Sequence, residues 1–238
     1  MIIAAFWKPT SVVSFLNSSS MSVTIKNRIT DDGSPTLYRP DLDEHYHSTN
    51  GAVQESTHVF IEKGLKPIMN KTDSIRILEL GFGTGLNALL TEEYGCSAGH
   101  TINYIALETV PLVPEIWKTL DYQRPEILKQ LHTAAWEEDV TIREGFQLKK
   151  HETSFQKFDS EKNFNLIYWD AFGPNKQPEL WTLGIFEKCY QLMSPASILV
   201  TYCAKGDVRR AMQAAGFDVE RLPGPPGKRE MLRATKRL

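Results

Sequence analysis

The chain has 238 residues, of which 41% are hydrophobic, so it can bury a sizeable core without disulfide or metal cross-links. Its 27 basic and 29 acidic side chains give a net charge of −2, which excludes a uniformly basic nucleic-acid-binding protein but not a local basic patch. The three cysteines form no C-x-x-C pair, and no segment approaches the roughly 18 apolar residues of a membrane span. These features predict a cytoplasmic protein with free thiols and no membrane segment.

The first twenty residues begin with an apolar stretch that Lys8 and Pro9 interrupt. No positively charged region precedes this stretch, whereas a secretory signal has charge first and then an unbroken apolar core. A second methionine, Met21, follows three serines. We therefore expect residues 1–20 to be a disordered extension, or one that arises from a mis-assigned start codon.

Residues 21–70 are predicted to be an N-terminal extension that packs on the core. The segment begins with a polar, turn-rich stretch, with one short strand expected near residues 21–29. Apolar residues at helical spacing after Asn50 predict a helix with Asn50 near its N-cap. This helix is expected to end at Gly64 or before Pro67, because glycine and proline commonly end helices.

From residue 71 onward, short apolar runs alternate with helical patterns, which is typical of a parallel sheet covered by helices. Strands are predicted at residues 75–80, 102–108, 140–144, 164–169, 197–202, 217–221 and 230–235. Helices are predicted at residues 86–94, 178–193 and 205–215, with further helical segments within 111–130. No helix separates the last two strands, so the last strand is expected to be antiparallel. Residues 71–238 are therefore predicted to form a Rossmann-like α/β domain with a seven-stranded, mostly parallel sheet.

A glycine-rich loop, E-L-G-F-G-T-G-L-N at residues 79–87, connects the first of these strands to its helix. Open α/β sheets bind nucleotides at this position. A dinucleotide-binding G-x-G-x-x-G motif that starts at Gly81 needs glycine at position 86, and a Walker loop needs lysine there, but the residue is Leu86. The pattern E-x-G-x-G-x-G instead resembles motif I of the class I S-adenosylmethionine-dependent methyltransferases. An ordinary glycine-rich turn is the alternative.

This resemblance implies S-adenosyl-L-methionine as the cofactor. By the resemblance, Glu79 would bind the amino group of the cofactor, directly or through water. Glu108 ends the second predicted strand, where a carboxylate suits ribose hydroxyls, or where it could be a surface acid near a helix. For the adenine, residues 143–147 offer only Phe146, which could stack on the base. The expected cofactor-binding residues are Glu79, Gly81, Phe82, Gly83, Thr84, Gly85, Asn87 and Glu108.

Asp170 follows the fourth predicted strand and begins the loop D-A-F-G-P. In a doubly wound sheet this strand lies beside the first, so Asp170 would face the cofactor. The loop resembles those of amine-methylating enzymes, and Asp170 is the predicted catalytic residue. A carboxylate can orient a neutral amine by accepting its N–H hydrogen bonds. An ordinary aspartate has a pKa of about 3.9, so we expect Asp170 to steer the amine while the proton passes to water.

Several longer segments are more specific than the glycine-rich loop. They lie at residues 46–51, 77–90, 104–112, 170–181 and 222–234, and the last two contain the patterns D-A-F-G-P-x-K-x-P-x-x-W and G-K-R-E-M. Together they resemble the MnmC methyltransferase-domain and MnmD family of the tRNA wobble-uridine pathway. The resemblance implies methylation of the 5-aminomethyl group of wobble (2-thio)uridine in tRNA, which gives 5-methylaminomethyl-(2-thio)uridine. It also implies a single-domain protein that lacks the flavin oxidase domain.

Contacts with RNA are predicted from charge and from this resemblance. Residues 201–238 contain nine basic and four acidic residues, and such a patch fits the phosphates of a tRNA anticodon stem-loop. Phe172, Trp181 and Tyr202 could flank a planar base, or could be core residues. The predicted substrate residues are Tyr46, Phe172, Lys176, Lys228 and Arg229.

Two other functions remain open at this point. One is a methyl- or aminopropyltransferase that acts on a small-molecule amine, since aminopropyltransferases share the fold and a glycine-rich loop. The other is a non-catalytic scaffold that binds the cofactor, which the intact Asp170 and motif I argue against. No metal is expected, because His45, His47 and His58 have no cysteine or acid cluster to complete a site.

Overall fold

The computed structural model describes residues 12–16, 22–161 and 163–237. Two sheets organise this part of the chain, a four-stranded sheet near the N-terminus and an eight-stranded sheet that carries the glycine-rich loop. Apart from residues 12–16, the segment 1–20 and the prediction made for it lie outside the described residues. No helix in the described ranges is long and apolar enough to cross a membrane.

The N-terminal sheet is antiparallel throughout and its strands pair in sequence order. They are β1 (Val12–Leu16), β2 (Ser22–Ile29), β3 (Pro35–Arg39) and β4 (Glu44–His45). The strand predicted near residues 21–29 is therefore present as β2. Ile25 and Leu37 of this sheet are fully buried in the same cluster as residues of the large sheet.

A continuous helical segment follows the N-terminal sheet. It begins as α1 (Ala52–Ser56), widens to a π-helix (Thr57–Leu65) and ends as α2 (Lys66–Met69). The prediction that it ends at Gly64 or before Pro67 is wrong, because the helix continues through both residues.

Packing and a wide turn explain why the helix continues. Gly64 faces the large sheet, where a Cβ atom would meet Val200 Cγ2 at 3.0 Å, so this glycine permits close approach rather than ending the helix. The Lys66 N–H donates to the Ile61 carbonyl, five residues earlier, as in a π-helix. Pro67 lacks an N–H and its ring crowds an ordinary α-helical turn, so the wide turn just before it accommodates the ring.

The N-terminus of α1 is capped by side chains from a distant turn. The prediction that Asn50 lies near the N-cap is confirmed, because the N-cap is the neighbouring residue Gly51, which supplies no side-chain hydrogen bond. The β2–β3 turn instead provides three acceptors for the free N–H groups of the first helical turn, as helix N-termini require. The hydrogen bonds run from Ala52 N–H to Thr30 Oγ1 (3.3 Å), from Val53 N–H to Ser34 Oγ (3.2 Å) and from Gln54 N–H to Asp32 Oδ2 (3.0 Å).

Replacement of Asp32 by alanine is expected to lower the free energy of unfolding by about 1–2 kcal/mol at neutral pH, as loss of a helix cap does. Partial burial raises the pKa of Asp32, but hydrogen bonds from Ser34, Thr30 and Gln54 outweigh it and hold the pKa below its ordinary value. The stabilisation is therefore present above the ordinary pKa and is lost as the pH falls through the folded-state pKa.

Urea denaturation of Asp32→Ala at neutral and acidic pH measures both effects. The matched control is Asp31→Ala, because Asp31 is the exposed neighbour in the same turn. Equal unfolding free energies for Asp32→Ala and the unmodified protein at neutral pH would contradict the capping role.

The large sheet has the strand order β11-β12-β10-β9-β5-β6-β8-β7. Its strands are β5 (Ser74–Leu80), β6 (Thr101–Glu108), β7 (Asp139–Arg143), β8 (Phe146–Glu152), β9 (Phe164–Trp169), β10 (Met193–Thr201), β11 (Asp218–Pro223) and β12 (Glu230–Thr235). The five central strands β8, β6, β5, β9 and β10 are parallel. The last strand, β12, is antiparallel to both of its neighbours. The predicted α/β architecture is confirmed, but the sheet has eight strands rather than seven.

The extra strand arises where the third parallel strand was predicted. Residues 140–144 fall on β7, which is an antiparallel edge strand, and the third parallel strand is β8. The hydrophobic pattern of β8 did not indicate a buried strand, because the charged residue Lys150 occupies a core position and is fully buried. Phe146 begins β8 and stacks on Tyr104 with ring centroids 5.7 Å apart. It therefore lies in the core at the opposite end from the glycine-rich loop, and the expectation that it stacks on adenine is wrong.

Helices cover both faces of the large sheet. They are α3 (Leu86–Ser97), α4 (Pro114–Trp117), α5 (Pro125–Thr133), α6 (Leu183–Leu192) and α7 (Gly206–Ala214), with a 3₁₀ turn at Pro178–Leu180. Alternate residues of β5 enter two separate cores, as the period of a strand requires. Ile75 and Ile77 pack with α3, α4 and α5, whereas Leu78 and Leu80 pack with α6 and α7.

Candidate active site

A cavity of about 720 Å³ opens at the carboxyl ends of the parallel strands β5, β6 and β9. Ten of the predicted site residues line it: Tyr46, Gly81, Phe82, Gly83, Thr84, Asn87, Glu108, Asp170, Phe172 and Lys228. Glu79, Gly85, Lys176 and Arg229 are not among the lining residues. The predicted cofactor and substrate residues therefore converge mainly on one cavity.

The glycine-rich loop needs its glycines for conformation and for space. Gly81, Gly83 and Gly85 all have positive φ angles, of 87°, 47° and 73°, which side-chain-bearing residues rarely adopt. A Cβ atom on Gly81 would lie 3.1 Å from the Asp170 carbonyl oxygen, and one on Gly83 would lie 3.0 Å from the Tyr46 ring. The loop can therefore pass close to the reactive strand end only because these residues lack side chains.

The carboxylate of Glu108 holds the glycine-rich loop in place. Its Oε2 accepts a hydrogen bond from Gly83 N–H at 3.0 Å, and its Oε1 accepts from Thr109 N–H and Val110 N–H, both at 2.8 Å. Burial raises the pKa of Glu108 despite these three hydrogen bonds. A carboxylate has about four acceptor positions, so Glu108 keeps accepting capacity toward the cavity that it lines.

The loop is also fixed from the side of α5. His132 Nε2–H donates to the Thr84 carbonyl at 2.9 Å, and burial lowers the pKa of His132 to about 4, so the ring is neutral at physiological pH. The buried Lys150 donates to the carbonyls of Leu131 and His132 at 2.9 and 2.8 Å. It thereby satisfies the end of α5 as cations do at helix C-termini. Sequence reasoning missed this support because a buried lysine resembles an exposed one in the sequence.

Glu79 is a buried carboxylate without a completed hydrogen bond. Its exposed fraction is 0%, and neither carboxylate oxygen has a partner among the described residues. The Asn87 amide and the Tyr104 hydroxyl are its neighbours, while burial and the nearby Asp170 raise its pKa well above the ordinary value. Buried carboxylates without partners are costly, so this position suits a cationic group.

Asp170 occupies the end of β9, on the wall of the cavity. Its Oδ2 accepts a hydrogen bond from Asn87 Nδ2 at 2.8 Å. Burial, with a smaller effect from the Glu55 carboxylate, raises the pKa of Asp170 to about 7, against the opposing effects of Asn87 and Lys228. Asn87 was predicted to bind the cofactor, but in the structure its side-chain amide donates to the predicted catalytic residue Asp170.

Aromatic side chains surround the loop that follows Asp170. The Tyr46 and Phe172 rings meet edge to face with centroids 5.3 Å apart. The Tyr202 hydroxyl donates to the Ala171 carbonyl at 2.8 Å, and Trp181 Nε1–H donates to the Phe172 carbonyl at 2.9 Å. Trp181 is only 6% exposed and belongs to the core, whereas the rings of Tyr46, Phe172 and Tyr202 line the cavity.

The three predicted basic residues differ in their surroundings. Lys228 lines the cavity and forms an ion pair with Glu55, a residue that sequence reasoning did not assign to the site. Lys176 lies 3.8 Å from Asp43 in an exposed ion pair. Arg229 is exposed. Of these three predicted residues, only Lys228 therefore contributes its charge to the cavity itself.

The histidines have structural surroundings. Burial lowers the pKa of His47 to about 4, and its Nδ1 lies 3.3 Å from Thr36 Oγ1. His58 Nε2–H donates to the Pro223 carbonyl at 2.8 Å. Within residues 12–16, 22–161 and 163–237, no group of three or more histidine, cysteine, aspartate or glutamate side chains could hold a metal ion.

A family model described as S-adenosyl-L-methionine-dependent methyltransferase matches residues 112–237, which is more than half of the chain. The chain belongs to this methyltransferase family. Its cofactor is S-adenosyl-L-methionine, as motif I predicted. The prediction of an enzyme of this class is confirmed.

Individual proteins that are similar to this chain give more specific information than the family model. The chain is 30% identical over 223 residues to the tRNA 5-methylaminomethyl-2-thiouridine biosynthesis bifunctional protein MnmC of Cupriavidus metallidurans, covering 85% of this methyltransferase and 32% of the relative. The crystal structure of MnmC2 from Aquifex aeolicus superposes with a TM-score of 0.76 at 26% identity, covering 89% of this chain and 69% of that one. The spermidine synthase of Thermotoga maritima shares the fold, with a TM-score of 0.60, 12% identity and coverage of 94% and 72%. The chain spans about a third of the length of the curated relatives it matches.

The cavity of this methyltransferase fits its cofactor. Glu79 is a buried carboxylate without a partner, and the cofactor carries an ammonium group. The positive φ angles of Gly81 and Gly83 leave the backbone free to lie against a ligand. Glu108 lines the cavity with accepting capacity for hydroxyl donors. Gly81, Gly83 and Glu108 line the cavity and could hold S-adenosyl-L-methionine directly. Glu79 does not line the cavity and could act on the ammonium group through an intervening water.

Proposed function

We propose that this methyltransferase methylates the 5-aminomethyl group of wobble (2-thio)uridine in tRNA, giving 5-methylaminomethyl-(2-thio)uridine. The observation that carries the proposal is the partly buried carboxyl of Asp170, which lies between the glycine-rich loop and aromatic rings in one cavity. The name of the MnmC relatives, which refers to biosynthesis of this tRNA nucleoside, supports the choice of substrate. The nucleoside would reach the cavity as part of the anticodon stem-loop.

The glycine-rich loop and two acids form the proposed cofactor site. When bound, S-adenosyl-L-methionine supplies a methyl group on a positively charged sulfur. Glu79 would accept from the ammonium group, directly or through water, and Glu108 would accept from ribose hydroxyls. Gly81, Phe82, Gly83, Thr84 and Gly85 form the loop and would lie against the cofactor.

Asp170 is the proposed proton acceptor for the amine. An amine presents its lone pair only after it loses the ammonium proton, and proton transfer is efficient when the pKa of the base lies near the working pH. The pKa of about 7 for Asp170 makes its carboxylate a stronger base than an ordinary aspartate with a pKa of about 3.9. We therefore propose that the proton moves from the amine nitrogen to a carboxylate oxygen of Asp170, rather than directly to water. Asn87 acts as a positioning residue, since its amide fixes that carboxylate.

Side chains at the cavity mouth form the proposed substrate site. Bases that are extruded for modification are bound by stacking on aromatic rings. Tyr46 and Phe172 line the cavity, and we propose that they stack on the base. Lys176 and Arg229 lie on the loops that carry Phe172 and Lys228. We propose that these three basic residues contact phosphates of the anticodon stem-loop.

The rate of methyl transfer is expected to rise with pH through about 7. Asp170 accepts a proton only as a carboxylate, so kcat/KM should fall about tenfold per pH unit below the pKa of about 7. A bound cationic cofactor favours the carboxylate and lowers this midpoint, but it does not change the sign.

Asn87→Ala supplies the control for this pH profile. The Asn87 amide donates to the ionised carboxylate of Asp170, so its removal raises the pKa of Asp170 and moves the midpoint to higher pH. Initial rates of both proteins at saturating cofactor, from about pH 5 to pH 9, measure the effect. A rate independent of pH across this range would contradict Asp170 as the base.

Label transfer from S-adenosyl-L-methionine tests the proposed function. The acceptors are tRNA from a strain that stops at the aminomethyl stage, tRNA that lacks the aminomethyl group, and the small amines putrescine and spermidine. We expect label only in the first. Label in the small amines without label in tRNA would replace the tRNA assignment by a small-molecule amine methyltransferase.

A further inference from the structure

A second carboxylate, that of Glu55, lines the cavity close enough to Asp170 to raise its pKa. Glu55 Oε2 accepts from Ser48 N–H at 2.7 Å, and Oε1 is paired with Lys228 Nζ. Only 6% of Glu55 is exposed. A carboxylate this deeply buried is stabilised by a cation beside it, and Lys228 supplies that cation in this structure.

The ammonium of Lys228 also lies over an aromatic ring. Its Nζ is 4.0 Å from the centre of the Tyr202 ring, which the hydrogen bond to the Ala171 carbonyl next to Asp170 holds in place. A carboxylate combined with an aromatic face is a favourable environment for an alkylammonium ion. We name the Glu55 carboxylate and the Tyr202 ring the cation site.

Lys228 is a removable occupant of the cation site. It lies on the β11–β12 loop, far along the chain from Glu55, and its side chain is 31% exposed, compared with 7% for Glu55. A lysine has a long flexible stem, so Lys228 can move into solvent without a change in the core. Glu55 cannot follow, because it belongs to α1 and accepts from the backbone of Ser48.

We propose that the cation site is a substrate site, in which the ammonium group of the substrate replaces Lys228 between Glu55 and Tyr202. This inference rests on the proposed function and specifies which chemical group the enzyme selects. A primary ammonium on the substrate has the same charge and the same three N–H donors as lysine. The exchange therefore leaves the charge of the cation site unchanged and places the amine beside Asp170, which then takes its proton.

The cation site explains how the enzyme distinguishes amines from similar groups. A neutral hydroxymethyl group cannot replace Lys228, because Glu55 would lose its counter-ion in a buried position. A group that carries a carboxylate would be repelled by Glu55 and Asp170. After the exchange, the Lys228 ammonium lies in solvent, where it can form an ion pair with a tRNA phosphate.

Binding of two small probes tests the proposal without turnover. The probes are 5-aminomethyluracil and 5-hydroxymethyluracil, titrated calorimetrically into protein saturated with S-adenosylhomocysteine. The variants are Glu55→Gln and Lys228→Met, and the matched control is Glu62→Gln, which changes an exposed glutamate further along the same helical segment. The probes contain no phosphate, so any role of Lys228 in binding the tRNA backbone does not affect the result.

The unmodified protein and Glu62→Gln are expected to bind the amine at least about tenfold more tightly than the alcohol, a difference of about 1.4 kcal/mol. Glu55→Gln is expected to lose this preference, whereas Lys228→Met is expected to keep it and to bind the amine more tightly, because the internal competitor is gone. If Glu55→Gln does not fold, the Glu55→Gln/Lys228→Met double variant, which removes both charges, must show no preference.

Two results would overturn the proposal. One is a Glu55→Gln protein that responds to the two probes as the unmodified protein does, including no response from either. The other is an equal loss of amine binding in Glu55→Gln and Lys228→Met, which would make the ion pair a structural tether for the β11–β12 loop. Because the tRNA assignment is scored by methylation and the cation site by binding, failure of one is distinguishable from failure of the other.

Discussion

Replacement of Asp170 by asparagine is expected to lower kcat by about 10²- to 10⁴-fold, the usual contribution of a general base, while cofactor affinity stays within about twofold. Asparagine preserves the size of the side chain and can still accept from Asn87 Nδ2. It cannot accept a proton from the amine. The substitution therefore removes the proposed chemistry without emptying the space that Asp170 occupies.

Single-turnover methyl transfer and cofactor titration of the same protein separate these two effects. Asp139→Asn is the matched control, because Asp139 is an exposed aspartate on the edge strand β7. Undiminished methyl transfer in Asp170→Asn would refute the catalytic role. A large loss of cofactor affinity in that variant would instead make Asp170 part of the cofactor site.

Glu79→Gln is expected to weaken S-adenosyl-L-methionine binding by about 10- to 100-fold, because it removes a charge-assisted hydrogen bond. It is also expected to raise the free energy of unfolding of the cofactor-free protein at neutral pH, because glutamine cannot ionise and so avoids the cost of burying a carboxyl group that is ionised in the unfolded chain. Burial raises the pKa of Glu79 well above its ordinary value of 4.5. Ionised Glu79 is therefore disfavoured in the folded state, and stability falls as pH rises above the ordinary pKa. Glutamine lacks this cost at neutral pH.

The same substitution at Glu92 provides a control, because it is expected to change the free energy of unfolding in the opposite direction. Glu92 is also fully buried, but its carboxylate is paired with Arg124 at 2.5 Å and with Arg143 at 3.0 Å. Glu92→Gln leaves two arginines without their counter-ion, so we expect a loss of about 1–3 kcal/mol in unfolding free energy. Thermal unfolding and cofactor titration of both variants measure these effects. Destabilisation by Glu79→Gln in the absence of cofactor would contradict the interpretation that Glu79 is an unpaired buried carboxyl that binds the ammonium group of the cofactor.

Local patterns were sufficient for the parallel sheet and the glycine-rich loop. Apolar runs that end at glycine or aspartate predicted β5 and β9 and the positions of Gly81 and Asp170. The strand β8 was missed because Lys150 occupies a core position there. A charged residue in the core is stabilised by partners from a distant helix, α5, and a sequence pattern does not contain that information.

Long-range contacts account for the other differences. The local pattern predicted where α1 begins, but the side chains that cap it come from the β2–β3 turn and have no local signal in the sequence. The sequence predicts that Gly64 ends the helix, whereas the proximity of Gly64 to Val200 of the sheet determines its role. The pairing of Glu55 with Lys228 joins residues 173 positions apart, and only the folded chain brings them to the cavity. The resemblance to a known family indicated the cofactor and the proposed substrate, which the residues alone left open.

Identification of the methylated nucleoside tests the central claim most directly. tRNA that carries the aminomethyl group is incubated with this methyltransferase and S-adenosyl-L-methionine, digested to nucleosides and analysed by mass spectrometry, with Asp170→Asn in parallel. We expect 5-aminomethyluridine, or its 2-thio form, to gain the mass of one CH₂ group with the unmodified enzyme and not with the variant. An unchanged wobble nucleoside, or a methyl group on any other nucleoside, would contradict this claim.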